Sequence, residues 1–170
     1  KYGNVTAGNS SQITDGAAWL VLASERAVEE HKLAPKGRIV DSQWAGLDPA
    51  QMGLGPVHAA TPILKRHGLG LNDLDAWEIN EAFAAQVIGC ERAWESAEYC
   101  RQELGLGGAL GRLDDSKLNV DGGAIALGHP VGASGARIVL HVLNTLARIG
   151  GKRGMAAICI GGGLGGAMLV

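Results

Sequence analysis

Glycine constrains this sequence more than any other residue type. The chain of 170 residues contains 27 glycines, about twice the usual share of roughly 7 %, and they follow no collagen-like period. Seventeen of them lie after residue 100, and fourteen of these cluster at 105–111, 122–135 and 161–166. Because glycine has no Cβ, such clusters indicate tight turns and places where the backbone approaches another group closely. We therefore expect glycine-walled loops in the second half of the chain.

Charge and hydropathy narrow the class of protein. Fifteen Lys and Arg oppose 17 Asp and Glu, so the basic surface of a nucleic-acid-binding protein is absent. The 46 % hydrophobic content is too high for a disordered chain, and no apolar run approaches the roughly 20 residues that cross a bilayer. Three cysteines cannot all pair, which favours a reducing, cytoplasmic location. The first residues lack an initiator Met, so we expect the chain to begin inside a longer protein, and organellar targeting stays open.

The apolar pattern predicts alternating strands and helices. The predicted strands are 17–23, 38–44, 75–79, 155–160 and 167–170. The predicted helices are 24–32, 57–67, 80–100 and 133–149. This order favours a layered α/β or mixed-sheet domain whose last two strands form a hairpin. Residues 101–117 have no apolar period and are expected at the surface.

One histidine stands in a glycine-walled loop that leads into a helix. His129 lies within the sequence Gly-Gly-Ala-Ile-Ala-Leu-Gly-His-Pro at 122–130. An imidazole in such a loop can donate a hydrogen bond to a developing oxyanion, beside helix-terminal N–H groups. The alternative is a histidine that only caps or packs a turn.

Two further positions are candidates for chemistry. Cys159 ends a predicted strand and is followed by the glycines at 161–163, so its thiol can meet a ligand that side chains would otherwise block. The alternative is an inert core cysteine. Asn80 occupies a predicted strand-to-helix junction, and capping the helix is sufficient to explain an asparagine there. A catalytic role would require other catalytic residues beside it.

Nucleotide and metal sites are not expected. The glycines at 128–132 do not match G-x-G-x-x-G, and no phosphate-binding Gly-Lys-Ser/Thr occurs. Cys90 and Cys100 are separated by a helical pattern and have no nearby histidine pair, so structural zinc spacing is absent.

Three segments, taken together and in order, resemble the C-terminal signatures of the thiolases. They read Asn-Glu-Ala-Phe-Ala at 80–84, Gly-Gly-Ala-Ile-Ala-Leu-Gly-His-Pro at 122–130, and Cys-Ile-Gly-Gly-Gly at 159–163. Residues 4–11 and 48–57 are also similar to thiolase segments, so the resemblance covers nearly the whole chain. It implies an acetyl-CoA acetyltransferase or 3-ketoacyl-CoA thiolase that uses CoA thioesters as substrates, with no cofactor or metal.

The resemblance implies a role for each matching residue. His129 is expected as an oxyanion-hole donor and activator of the nucleophile, and Asn80 as the holder of a water that supplies a second donor. Cys159 is expected as the acid/base, and Gly161 as a backbone donor to a second oxyanion hole. The resemblance also implies five positions that bind the CoA pantetheine or line the acyl pocket: Ala7, Gly8, Ser11, Met52 and Phe83.

The resemblance further implies a five-stranded mixed sheet with helices on both faces. Residues 1–15 are expected as the tail of an N-terminal domain, and 16–170 as the thiolase C-terminal domain with an excursion at about 91–116. The nucleophilic cysteine belongs to the N-terminal half, so that half is an expected partner and this chain alone is expected to be inactive. A homodimer or homotetramer is expected. Asp121 departs from the Asn of many relatives.

Two rival interpretations accompany the enzyme. A non-catalytic thiolase-like domain that binds CoA or lipid would keep the fold and lose the acid/base set, whereas this sequence retains Asn80, His129 and Cys159. Ketoacyl synthases and hydroxymethylglutaryl-CoA synthases lack the combination of 80–83 with 159–163. The sequence indicates neither acyl chain length nor reaction direction.

Overall fold

A four-stranded mixed sheet organises the protein in the computed structural model, which describes residues 3–170. Its strands are β1 Asp41–Gly46, β2 Ala76–Ile79, β3 Gly154–Ile160 and β4 Leu164–Leu169. In the order β1-β4-β3-β2, strand β4 is antiparallel to both of its neighbours, whereas β2 and β3 are parallel. The predicted terminal hairpin is therefore confirmed, and the carboxyl ends of β2 and β3 lie side by side.

Helices and 3-10 turns connect the strands. The helices are α1 Glu25–Glu30, α2 Gly55–His67, α3 Ala84–Glu95, α4 Ala97–Gln102, α5 Ala124–Leu127 and α6 Ser134–Ile149. The α2 and α6 helices end at Gly68 and Gly150, whose φ angles of 62° and 69° are left-handed and favour glycine. Among the described residues, no helix is long and apolar enough to cross a bilayer.

The two faces of the sheet pack against different helical layers, as predicted. One cluster of buried side chains joins the sheet to α2 and α3 and includes Trp77, Ile79 and Met155. The alternate strand positions Ala76 and Ala156 face α6. They form a second cluster with its apolar side chains Ile138, Val142 and Leu146. Because side chains alternate along a strand, one sheet serves two cores. The α/β class is confirmed.

The predicted fifth strand is wrong. Residues 17–23 form no strand, and their large apolar side chains are exposed, with Trp19 at 85 % and Val21 at 95 %. An apolar run becomes a strand only where another strand offers its hydrogen-bonding edge, and the four-stranded sheet does not receive this segment. At the β2 edge of the sheet, Leu118 makes a single parallel bridge to Trp77.

The prediction of one helix over 80–100 is also wrong, because the helix starts later and is divided in two. The backbone N–H of Asn80 donates to the Ala157 carbonyl (2.9 Å), which holds the chain beside β3. Helix α3 consequently begins only at Ala84, so Asn80 is not its cap. At the other end, the Ser96 hydroxyl accepts from the Tyr99 N–H (3.2 Å) and starts α4 as a separate helix.

The expectation that 91–116 lies outside the core is wrong for three of its side chains. Trp94, Cys100 and Leu113 are all fully buried. The Trp94 indole N–H donates to the Thr61 hydroxyl on α2 (3.0 Å), which fastens α3 to the core. The helical periodicity of the sequence ends at α4. Leu113 is buried because the chain folds back onto the core after α4, and periodicity does not predict that path. The domain limits at 15 and 16 stay a prediction.

Candidate active site

The parallel strands β2 and β3 bring two predicted site residues to one edge of the sheet. Asn80 directly follows β2, and Cys159 is the penultimate residue of β3. Because Ile79 is paired with Ala157 in parallel register, both strands deliver their carboxyl ends to the same place. Ligands of open α/β sheets characteristically bind at this edge.

Within the described part of the chain, Asn80 has two buried side-chain atoms without partners, whereas the buried Gln86 and Thr145 have one each. Asn80 is 2 % exposed, and neither the amide nitrogen nor the oxygen of its side chain has a hydrogen-bond partner within residues 3–170. Nearly all buried polar atoms in native proteins are satisfied by protein or ordered water. Asn80 also lines a cavity of about 150 Å³. An unsatisfied amide beside a cavity supports the predicted water-holding role.

His129 is held from two sides in the loop between α5 and α6. Its backbone N–H donates to the Gln12 carbonyl (2.8 Å), and its Nδ1 lies 2.6 Å from the hydroxyl of Ser134. Ser134 is fully buried, and its single hydroxyl proton lies within reach of both Nδ1 and the Pro130 carbonyl (3.2 Å). When Ser134 donates that proton to Nδ1, the neutral imidazole carries its own proton on Nε2. Burial, and to a lesser degree the charge of Arg137, lowers the pKa of His129. A neutral imidazole with Nδ1 engaged presents Nε2 for proton transfer or hydrogen bonding.

Glu81 connects the end of β2 to the glycine loop that carries His129. Its two carboxylate oxygens accept from the Ile125 N–H and from the Asn119 side-chain amide, each at 3.1 Å. A Cβ at Gly123 would lie 2.6 Å from the Glu81 carboxyl carbon, so glycine permits this approach. Asn119 in turn bonds both the N–H and the carbonyl of Ile79 (2.9 Å each). These contacts join the Asn80 and His129 segments.

Cys159 lies in the hairpin of β3 and β4 with its side chain nearly buried, at 7 % exposure. Burial raises the pKa of the thiol, which favours the protonated, proton-donating form. The turn at Gly161–Gly163 follows directly, and both Gly162 and Gly163 have left-handed φ angles near 80°. A Cβ at Gly161 would meet no atom within 4 Å, so open space lies in front of this backbone.

Three of the five predicted substrate-binding residues are placed near the site. Ser11 donates its backbone N–H to the Ala82 carbonyl (3.0 Å), and Phe83 forms a bridge with the neighbouring Ser10. Half-buried Met52 lies in the turn Pro49–Leu54, which packs against α3.

The structure does not join every predicted site residue. Ala7 and Gly8 lie in an exposed 3-10 turn, and no direct hydrogen bond links Asn80, His129 and Cys159. Residues 3–170 contain no group of three or more His, Cys, Asp or Glu able to hold a metal ion.

Sequence reasoning missed Ser134, Asn119 and the contact role of Glu81. Ser134 carries a local signal, because a residue five positions after His129 at the start of a predicted helix can turn back toward the loop. The partners of Glu81 and Asn119 lie about 40 residues apart in the chain, and no spacing rule identifies them.

Comparison with known proteins decides the family. The family model described as the C-terminal domain of thiolase matches residues 33–170, which is most of the chain. The chain belongs to the thiolase family. The matched residues include every strand of the sheet and the three segments that carry Asn80, His129 and Cys159.

Thiolases of several kinds are similar along the whole chain. The human mitochondrial 3-ketoacyl-CoA thiolase is 46 % identical over 170 residues, which are 100 % of this chain and 38 % of that protein. The β-ketoadipyl-CoA thiolase of Pseudomonas aeruginosa is 48 % identical over 98 % of the chain and 38 % of its own length. The mouse cytosolic acetyl-CoA acetyltransferase is 48 % identical over 99 % of the chain and 38 % of its own. The chain thus spans well under half of these relatives.

Solved thiolase structures share the fold. The human mitochondrial 3-ketoacyl-CoA thiolase in complex with CoA has a TM-score of 0.81 and 44 % identity, covering 99 % of this chain and 39 % of that one. The Bacillus anthracis acetyl-CoA acetyltransferase has a TM-score of 0.85 and 43 % identity over the same shares.

Proposed function

We propose that this thiolase domain serves an acyl-CoA:acetyl-CoA C-acyltransferase, which cleaves 3-ketoacyl-CoA with CoA or condenses acetyl-CoA in the reverse, Claisen direction. The observation that carries the proposal is the delivery of Asn80 and Cys159 to one sheet edge, tied through Glu81 to the loop of His129. The CoA complex of a human relative supports CoA thioesters as the substrates.

The proposed chemistry assigns His129 and Asn80 to the thioester oxygen. Removing a proton from the carbon next to a thioester places negative charge on the carbonyl oxygen. His129 Nε2–H and a water on the unsatisfied Asn80 amide stabilise that charge as donors. One such donor contributes roughly 10²- to 10³-fold in kcat.

Cys159 is the proposed acid/base. In thiolysis, its thiol protonates the acetyl-CoA enolate released when the C2–C3 bond breaks, and the resulting thiolate then takes the proton of the incoming CoA thiol. Burial keeps the resting thiol protonated, as the first step requires. Gly161 is the proposed backbone donor to the acyl-enzyme oxyanion, and the open space before it supports this role.

The covalent nucleophile is proposed to lie in an N-terminal thiolase half. Burial raises the pKa of Cys90 to about 12, and its thiol donates to the Gly53 carbonyl (3.4 Å). Cys100 is fully buried and donates to the Ala93 carbonyl (3.4 Å). Neither has the exposure or positive field that a nucleophilic thiolate needs. The exposed apolar side chains of 17–23 support the same missing partner.

Substrate contacts and assembly are proposed on the same basis. Ser11, Ala7 and Gly8 are assigned to the CoA pantetheine, and half-buried Met52 and Phe83 to the acyl chain. The protein is proposed to form a homodimer or homotetramer. Relatives bear both mitochondrial and cytosolic names, so a cytoplasmic location stays a prediction.

Thiolysis by the intact protein tests the proposal. We expect CoA-dependent cleavage of acetoacetyl-CoA or of longer 3-ketoacyl-CoA substrates, and His129→Ala should lower kcat/KM by roughly 10²- to 10³-fold. His31→Ala is the matched control, because His31 is exposed at the end of α1. A wild-type protein that binds CoA but turns over none of these substrates would favour the non-catalytic alternative.

A further inference from the structure

A chain of ionic contacts runs from β2 to the surface on the α6 side of the sheet. The Glu78 carboxylate is buried, 4 % exposed, and lies 2.7 Å from Nδ1 of His141. The other ring nitrogen of His141 lies 3.0 Å from the Asp121 carboxylate. Arg148, about two turns further along α6, donates to the same Asp121 oxygen at 2.6 Å.

These contacts connect the two segments that supply the candidate active site. Glu78 stands on β2, two residues before Asn80, and Asp121 opens the glycine loop that leads to His129. His141 contacts both acidic residues from α6. The loop that begins at Asp121 includes Gly122, with a φ of 80°, and glycine supplies little stiffness of its own. The side chain of His141 therefore restrains a segment whose backbone is adaptable.

Protonation decides whether both contacts exist. A neutral imidazole has one N–H donor and so cannot donate to two ionised carboxylates. Both contacts are hydrogen bonds only if the ring is an imidazolium or if one of the two carboxyl groups is protonated. Burial raises the pKa of Glu78 to about 7, against the lowering effect of His141. Glu81 and Asp121 add negative charge nearby. The positively charged Arg137 lines the cavity that Glu78 and His141 also line. As pH rises past about 7, the Glu78 carboxyl loses its proton, and a nitrogen lone pair of a neutral ring would then face a carboxylate.

We propose that His141 is a positioning residue, which by contacting Glu78 and Asp121 together holds the loop 121–128 against β2 and thereby sets the placement of His129 relative to Asn80. Its catalytic consequence rests on the proposed acyl transfer. The restraint itself is a property of the fold and is measurable without turnover. The proposal also gives a role to Asp121, which is the loop-side anchor.

Hydrogen exchange in the intact protein tests the restraint directly. We compare amide protection over 119–128, corrected for intrinsic rates, at about pH 6 and about pH 8. Wild type should lose about tenfold in protection between the two conditions, whereas His141→Gln should already be low at both. The matched control is His67→Gln, since His67 bonds Asp41 at 3.0 Å beside Arg66, far along the chain from the loop.

Asp121→Asn provides a second variant on an exposed side chain, so loss of folding does not block the test. It keeps Glu78–His141 and weakens the contacts of Asp121 to His141 and Arg148. Protection of the loop equal to wild type in both Asp121→Asn and His141→Gln would overturn the proposal. Intermediate protection in Asp121→Asn is the expected result.

The pH dependence of turnover separates positioning from general stability. Both variants should lower kcat by about tenfold, as small misplacements in active sites do, with KM for CoA little changed and the alkaline limb of the kcat profile displaced. An unmoved profile with unchanged kcat would overturn the catalytic consequence. Absence of turnover in wild type would contradict the proposed acyl transfer instead, and the exchange experiment would still decide the role of His141.

Discussion

At the scale of single residues, His129 depends on the buried hydroxyl of Ser134. That hydroxyl lies 2.6 Å from Nδ1, and Ser134→Ala would leave a partly buried ring nitrogen without a partner, at a cost of roughly 1–3 kcal/mol. We expect kcat/KM to fall and its pH profile to shift, because the tautomer is no longer fixed. The pH–rate profile of the intact protein is the measurement. Ser116→Ala, on an exposed turn, is the control, and matching profiles would contradict the account.

The residues that sequence alone could predict are those with local signals. Cys159 precedes a glycine run and His129 sits within one, so both attract attention without any structure. The orientation of Asn80 could not be predicted, because the 80–83 segment is shaped by backbone contacts to Ala157 and to Ser11. These partners are distant in the chain, and a propensity for helix capping gave the wrong local structure.

At the scale of elements, Gly161 and Gly163 in the turn between β3 and β4 differ in how far the fold requires glycine. Gly163 has a φ of 82°, and a Cβ there would collide with the Leu47 carbonyl and lie 2.9 Å from the Pro49 nitrogen. Gly163→Ala should therefore destabilise the fold by more than about 2 kcal/mol, since the left-handed conformation alone costs roughly 1–2 kcal/mol. Gly161→Ala has open space and should change stability by less than about 0.5 kcal/mol. Thermal unfolding of the two variants checks this, and equal losses would contradict it.

The segment after α4 offers a second test at this scale. Leu113 is fully buried in the core, so Leu113→Ala should cost about 2–5 kcal/mol. Leu33→Ala is the control, because Leu33 is 45 % exposed. Unfolding midpoints that agree between the two variants would restore the interpretation of 91–116 as a surface excursion. The long amphipathic helix α6 was predictable, whereas this burial was not, because the glycine-rich stretch before Leu113 has no sustained apolar period.

At the scale of the whole molecule, Glu78 makes stability depend on pH. Its pKa is raised from 4.5 to about 7 by burial, so the unfolded chain releases this proton at lower pH than the folded one. Stability therefore falls as pH rises through this window, by about 3 kcal/mol at most. Glu78→Gln, which stays neutral, should be more stable than wild type above about pH 7. Denaturation at several pH values measures this, with exposed Glu30→Gln as control. A wild type that gains stability against Glu78→Gln as pH rises would contradict it.

The strand count also belongs to this scale. The α/β class and the hairpin followed from periodicity, and the helices on both faces followed from the family resemblance, but the apolar run 17–23 did not join the sheet. An apolar run predicts that its side chains are buried, but it does not predict which surface they pack against. Pairing between strands is a property of the whole assembly, so a sequence segment read alone cannot supply it.

The most direct test of the proposed chemistry follows the acyl group. The intact protein and its Cys159→Ala variant are mixed with acetoacetyl-CoA, and the acylated site is located by mass spectrometry of the protein and its peptides. We predict an acyl adduct on a cysteine other than Cys90, Cys100 and Cys159. In Cys159→Ala that adduct should persist while turnover falls by roughly 10²- to 10⁴-fold, because the proton-transfer group is removed. An adduct on Cys159 itself, or near-normal thiolysis in Cys159→Ala, would contradict the account.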